Sequence, residues 1–362
     1  MATSAHRAPH RSPLPTSATI KELFDSGALD SAVPPEYCFR ATQTDGDESA
    51  VEEEIPTIDL SLLCNGTDAQ RKKAIQELGK ACEEWGFFRV VNHGVPFGTM
   101  KAMLDAAQGF FFLPEAEKRE YAGKNMLDPI RCGTSFNPAV EDIKYWRDYF
   151  KLIVHPVFTS PTKPPGFREA LLDYATSTRK MTLELLRGIN ESLGLEEHCM
   201  ETALDLDSGM QLVAGNFYPP CPQPEFAKGL PPHSDYGLLT VLLQNGVDGL
   251  QVKHGGHWVQ VRSVPNSFLV NTGDQMEIFS NGRYKSVMHR AMLNNHAIRM
   301  SIATLQGPSL DTYVQPAFQL VHGNMQQMAY SGIKYMDYVD FQQKNQLKGK
   351  SALDLVRVPV EP

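Results

Sequence analysis

His233 and Asp235 stand two residues apart, and His289 follows much later in the chain. Two imidazoles and one carboxylate form the donor set that holds a mononuclear non-haem Fe(II) on one face and leaves positions open for an oxidant and a second ligand. Side chains at i and i+2 of an extended segment point the same way, so His233 and Asp235 can reach one ion. The third donor must arrive from elsewhere in a sheet. Asn281-Gly282 is a turn signal, and residues 284–293 read as a strand that carries His289. Downstream, Arg299 and Ser301 repeat the i, i+2 relation. A guanidinium fork binds a carboxylate bidentately while a hydroxyl adds a further bond, a pair suited to the distal carboxylate of 2-oxoglutarate.

The elements needed to position these residues can be read around them. From Gln211 the chain becomes short apolar runs between turn residues, predicting strands over 211–218, 238–244, 250–254, 257–260, 267–272 and 276–279. That density of strands predicts a jelly-roll core, a double-stranded β-helix with the metal in its mouth, in an α+β chain with flanking helices. Upstream, helical spacing predicts helices over 19–28, 68–85 with Thr67 or Asp68 as cap, 98–112, and a long one over 167–193 ended at Gly194. Strands are expected at 55–60, 87–91 and 146–153, a short helix at 114–118 and a last helix at 333–345.

Six segments now carry a resemblance. IPTIDLSLL (55–63) and ACEEWGFFRVVNHGVP (81–96) precede NFYPPCPQPE, PPHSDYGLLTVLLQ, NTGDQMEIFSNGRYKSVMHR and RMSIAT, spread over 216–304. In this order they resemble the plant 2-oxoglutarate- and Fe(II)-dependent dioxygenases of the isopenicillin-N-synthase-like superfamily, the branch of flavonoid, hormone and alkaloid oxygenases. The resemblance implies that Asn216 and Tyr218 lie beside 2-oxoglutarate, Tyr218 through its hydroxyl, and that the last helix lies near the substrate entrance. It implies O2 as cosubstrate and ascorbate as supporting reductant. It divides the chain into a flexible leader with a short helix (1–54), an amino-terminal dioxygenase region (55–205), the catalytic jelly roll (206–320) and a carboxy-terminal helix (321–362). Candidate pocket residues are Ser135, Phe136, Asn137, Tyr149, Lys151, Phe217, Leu305, Tyr335, Tyr338 and Phe341.

By the same resemblance, Ala214 stands where flavonoid-oxidising relatives often carry lysine, and Leu305 and Gly307 where some carry phenylalanine and glutamate, which argues against a flavonoid. An apolar, aromatic-lined pocket with few charges is expected instead, suited to a small planar aromatic such as an indoleamine like melatonin or a phenolic. The expected reaction is hydroxylation with release of succinate and CO2. Flavonoid or alkaloid oxygenation or demethylation, an oxidase that dispenses with 2-oxoglutarate, and a metabolite sensor without catalysis are the alternatives.

Composition sets outer limits. A net charge of −8 without a basic cluster argues against nucleic acid as partner. The chain has no run of about eighteen apolar residues, and its start has no apolar core, so neither a membrane span nor a secretory signal is expected. Six scattered cysteines suggest free thiols in a reducing compartment, the cytoplasm with the nucleus accessible. A monomer acting on a small aromatic molecule is the expectation.

Overall fold

Alternating and continuous apolar runs make the chain a strand-rich body, and the helices cover one side of it. The computed structural model describes residues 19–27, 32–39, 50–123, 125, 127–135, 141, 143–322, 327–344 and 351–359. Strands are numbered β1 (Val51–Glu52), β2 (Thr57–Asp59), β3 (Phe87–Val91), β4 (Ile130–Thr134), β5 (Asp148–His155), β6 (Gln211–Tyr218), β7 (Leu230–His233), β8 (Leu239–Gln244), β9 (Leu250–His254), β10 (His257–Val261), β11 (Phe268–Thr272), β12 (His289–Ala291) and β13 (Arg299–Gln306). They form a five-stranded sheet, β1-β10-β9-β12-β7, and an eight-stranded sheet, β2-β3-β11-β8-β13-β6-β5-β4. Together these are the jelly roll of an α+β fold.

The long helix Phe167–Ser192 buries Phe167, Leu171, Tyr174, Thr178, Met181, Leu185 and Ile189, one stripe at spacings of three and four. It ends where Gly194 takes a left-handed φ of 77°. Before it, Thr67 and Gln70 form a reciprocal capping box on the helix Asp68–Lys80, which continues as a wider turn, Ala81–Trp85. An aromatic cluster of Phe110 and Phe111 on the helix Phe97–Phe111, Phe167 on the long helix, and Phe150 and Phe217 on β5 and β6 joins these two helices to the larger sheet.

Four expectations need correction or addition. Residues 276–279 are helical, part of the buried helix Asp274–Phe279, whose Asp274 and Glu277 lie in its first turn and complement its amide end. The strand expected over 284–293 shrinks to β12. Before it, side chains take the backbone groups that a ladder would use: Thr272 Oγ1 donates to the Lys285 carbonyl (2.6 Å), and the Ser286 amide donates to Glu277 Oε2 (2.7 Å). β4 and β7 were not legible, because β4 contains a glycine and β7 contains Pro231-Pro232. Both lie at sheet edges, where a missing amide donor is tolerated.

Both ends of the described chain are tied to the site's supports. The amides of Ile20 and Lys21, at the start of the helix Ile20–Asp25, donate to the buried Asp148 carboxylate on β5 (3.1 and 2.9 Å). Near the other end, Tyr338 donates to Asp274 (2.7 Å), Tyr330 donates to Glu277 (2.6 Å), and Arg357 pairs with Glu277 (3.5 Å). All six cysteines are free thiols. Among the described residues, no helix is long and apolar enough to cross a membrane.

Candidate active site

β7 ends on His233 and β12 begins on His289, and the two are register partners in the smaller sheet. Asp235 follows in the turn after β7. His233 Nε2 lies 3.9 Å and His289 Nε2 3.8 Å from Asp235 Oδ1, and the three ligand atoms are all within 4.8 Å of one another. The far ring nitrogens have defined work: His233 Nδ1 lies 2.9 Å from the Pro231 carbonyl and His289 Nδ1 3.2 Å from that of Val287. A carbonyl only accepts, so each Nδ1 carries the proton and each Nε2 presents a lone pair to a metal.

The charge state of the cluster suits a cation. Burial holds the His233 imidazole well below its usual range, and neighbouring His289 adds to this, so the ring is a neutral donor. Burial alone would raise the Asp235 carboxyl, but His289, His233 and a hydrogen bond from Asn271 Nδ2 to Oδ2 (2.8 Å) outweigh it and keep it ionised. Asn271, on β11, takes Oδ2 and leaves Oδ1 facing the two imidazoles. The Asp274 amide donates to the Asp235 carbonyl (2.7 Å), and Ser234 Oγ donates to Asp274 (3.3 Å), so the buried helix fixes the turn that carries the carboxylate.

Two further strands build a carboxylate-binding end. In the register of β13 on β6, Arg299 pairs with Tyr218 and Ser301 with Asn216. Asn216 Nδ2 donates to Ser301 Oγ (3.2 Å), and the Arg299 guanidinium stands 5.1 Å from the Tyr218 ring centroid. Arg299 is 2% exposed; its Nη2 donates to Gln244 Oε1 (2.8 Å), whereas its Nε is buried without a partner and no described carboxylate pairs with it. Burial accordingly pulls its guanidinium below the ordinary value. A buried cation lacking an anion is expensive, and a carboxylate brought in from outside would offset that cost. The residues present therefore fit both a divalent metal and a dicarboxylate beside it.

Comparison with known proteins decides the family. A profile of the 2OG-Fe(II) oxygenase superfamily matches residues 209–308, and one described as non-haem dioxygenase in morphine synthesis N-terminal matches 55–170. The 2-oxoglutarate-dependent dioxygenase 19 of Oryza sativa subsp. japonica is 48% identical over 84% of this chain and 90% of its own length. The chain belongs to the 2OG-Fe(II) oxygenase family. As a member it is a dioxygenase that uses Fe(II) and 2-oxoglutarate. Thebaine 6-O-demethylase of Papaver somniferum is 37% identical over 84% of this chain and 86% of its own. The crystal structure of JOX2 in complex with 2OG, Fe and JA is 31% identical, with a TM-score of 0.83 over 96% of this chain and 99% of that one.

Family resemblance gave the remaining pocket candidates, and the structure separates them. Tyr149 on β5 pairs with Asn216 and Lys151 with Ala214, so both share the face that carries Asn216 and Tyr218. Leu305 lies on the corresponding face of β13 and is buried. Phe217 is a correction: alternation turns it to the opposite face of β6, where it packs on Phe111 and Phe112 in the core. Ser135 is another, since its Oγ accepts from the Tyr145 amide and its amide donates to the Arg147 carbonyl, which makes it a turn residue. Tyr338 commits its hydroxyl to Asp274, and Phe341 is half-buried against the core. Phe136 and Asn137 lie outside the described residues.

Tyr335 reaches a place that a side chain has left. A Cβ on Gly307 would meet the Tyr335 hydroxyl at 2.3 Å, so the phenol fills the volume that a side chain at 307 would take. The expectation of a pocket with few charges is also corrected, because Arg131 and Arg147 join Lys151 on the pocket side of the larger sheet. Sequence reading missed these two arginines, as well as Asn271 and Gln244. A charged residue in a strand normally reads as solvated, and only the cross-strand register shows otherwise.

Proposed function

We propose that His233, Asp235 and His289 hold the iron, that Arg299 and Ser301 bind the distal carboxylate of 2-oxoglutarate beside Asn216 and Tyr218, and that the enzyme hydroxylates a small aromatic metabolite. The observation that carries this reading is the pairing of a converging His–His–carboxylate cluster with a buried guanidinium that no described carboxylate pairs with. When bound, iron and 2-oxoglutarate supply an oxygen-derived oxidant that converts C–H to C–OH, releasing succinate and CO2. The chain's own work is to bind and orient. Asn271 and the two Nδ1 hydrogen bonds aim the ligand atoms, and Gln244 aims Arg299.

Ala214 and Ala303 are register partners and remain partly exposed in otherwise buried strands, which leaves open space on the pocket face between β5 and β8. Indoleamines such as melatonin and salicylate-type phenolics are the candidates of matching size. A flavonoid is disfavoured by Tyr335 in the space above Gly307. The free thiols fit a reducing compartment, the cytoplasm with the nucleus accessible. Incubating iron-loaded protein with these compounds, 2-oxoglutarate and labelled O2 should give a product heavier by one labelled oxygen. No such product from any indole or phenolic would overturn the substrate assignment.

A further inference from the structure

Three tyrosines of the carboxy-terminal segment are fully buried, and two of their hydroxyls are engaged: Tyr330 donates to Glu277 and Tyr338 to Asp274. The third differs. Tyr335 is 0% exposed, and its hydroxyl has no hydrogen-bond partner among the described residues. Its backbone is held in place, because the Tyr335 amide donates to the Thr312 carbonyl (2.9 Å) and the Met336 amide to that of Leu310 (3.0 Å). These bonds lie where the short strand Ile333–Lys334, paired with Tyr313–Val314, turns into the helix Tyr335–Lys344. A buried hydroxyl without a partner costs free energy until something pairs with it.

The hydroxyl lies on the pocket face. The Gly307 amide donates to the Met210 carbonyl (2.8 Å), so the ladder of β13 on β6 runs one residue past Gln306, and alternation sets Gly307 in the row of Arg299, Ser301, Ala303 and Leu305. Because a Cβ on Gly307 would meet the Tyr335 hydroxyl at 2.3 Å, the phenol occupies the far end of the row that Arg299 begins. The turn that carries Asp235 closes on the same end: a Cβ on Gly237 would lie 2.8 Å from Leu305 Cγ, and the Leu238 amide donates to the Gln306 carbonyl (2.8 Å). Arg299 and the Tyr335 hydroxyl therefore stand at opposite ends, with the metal-ligand turn beside the hydroxyl.

Charge indicates what kind of group fits there. Burial, then Tyr236, Asp274 and Asp235, hold the phenol well above its usual range, so it keeps a proton to donate. The same two carboxylates would repel an anion placed against it. The basic side chains of the pocket wall are further along the row: Lys151 and Arg131 stand level with Ala214 and Ala303, four residues before Gly307 on β13, about 13 Å of extended chain.

We propose that Tyr335 is a specificity-determining residue whose hydroxyl donates to an uncharged carbonyl oxygen of the aromatic substrate, so that the molecule oxidised carries a ketone, ester or amide beside its ring. This rests on the functional reading above and narrows its substrate class. A hydrocarbon substituent would leave the hydroxyl unpaired, and a carboxylate would bring its charge against Asp235 and Asp274.

The test is calorimetric titration of the anaerobic holoenzyme, loaded with Fe(II) and saturating 2-oxoglutarate, with two trios that differ in one substituent. One trio is 4-hydroxyacetophenone, 4-isopropylphenol and 4-hydroxybenzoate; the other is 3-acetylindole, 3-isopropylindole and indole-3-carboxylate. Ketones should bind the wild-type protein more tightly than carboxylates, and Tyr335→Phe should weaken the ketones about tenfold while the isopropyl compounds change by about twofold or less. Unliganded Tyr335→Phe should melt no lower than wild type, since it removes an unpaired hydroxyl. Equal losses for ketones and isopropyl compounds, carboxylates bound more tightly than ketones, or no binding by either ketone would each overturn the proposal. So would a variant that melts several degrees lower, because the hydroxyl would then be bonded within the fold. Ketone preference without succinate formation would remove the hydroxylase reading and leave the anchor standing; succinate formation with ketone binding unaltered in Tyr335→Phe would do the reverse.

Discussion

Asp235 has two oxygens, and which of them meets a metal is set by Asn271, which bonds Oδ2 at 2.8 Å and leaves Oδ1 toward the imidazoles. Outer partners of this kind typically tune metal affinity by about 10–100-fold, so Asn271→Ala should weaken Fe(II) binding by that order with the fold intact. Metal titration checks it, and unchanged affinity would mean that the turn alone orients the carboxylate. At this scale the sequence offered His233 with Asp235 and Arg299 with Ser301 through their i, i+2 spacing and His289 through a separate strand, and the structure brings the three metal-type donors together although Asp235 lies just past the end of β7. It said nothing of Arg131 and Arg147, whose burial depends on which strands lie beside them. Phe217 follows the same rule in reverse: between Asn216 and Tyr218 on β6 it must face the core side of the sheet, away from the site.

Among the elements, the tight packing of the β8–β9 turn behind Arg299 matters most for the cosubstrate. A Cβ on Gly249 would lie 2.8 Å from Arg299 Cδ and 2.9 Å from its Nε, so only glycine lets the guanidinium lie where it does. Gly249→Val should push Arg299 aside and raise the KM for 2-oxoglutarate by roughly tenfold, about 1.4 kcal/mol, with Fe(II) affinity unchanged. Steady-state kinetics beside metal titration separates the two, and a loss of iron binding without a KM effect would contradict this role. Strands β6 and β9 and the helix Phe167–Ser192 were legible to within a residue, since long periodic runs dominate there. The helix Asp274–Phe279 was not. It is buried on every side, and a short apolar run carries no period that distinguishes helix from strand.

For the whole molecule, both ends of the described chain act as clasps on the site's supports, Ile20 and Lys21 on Asp148 and the carboxy-terminal tyrosines on Asp274 and Glu277. Neither clasp was readable, because each joins residues far apart in sequence. Burial pushes the Asp148 carboxyl up to about 6, against the partial opposition of its hydrogen bonds and Lys118. A folded-state pKa above the unfolded value means that the stability from this group is complete below about pH 4 and is lost as pH rises through about 6. Asparagine carries no charge at any pH and keeps a carbonyl for one of the two helix amides, so its loss of the other bond is a constant offset while the pH-dependent part disappears. Relative to wild type, Asp148→Asn should therefore gain about 2 kcal/mol between pH 4 and pH 7, read from denaturant unfolding at each pH. A difference that does not change with pH would show that Asp148 titrates as an ordinary carboxylate.

The most direct test of the central claim is succinate formation by purified, anaerobically iron-loaded protein on addition of 2-oxoglutarate and oxygen, with and without a pool of small indole and phenolic compounds. The account predicts release that the pool stimulates, that is abolished in Asp235→Ala together with iron binding, and that in Arg299→Ala requires far more 2-oxoglutarate while iron still binds. Iron bound by the wild-type protein without any succinate, or an Arg299→Ala variant with an unaltered 2-oxoglutarate requirement, would contradict it.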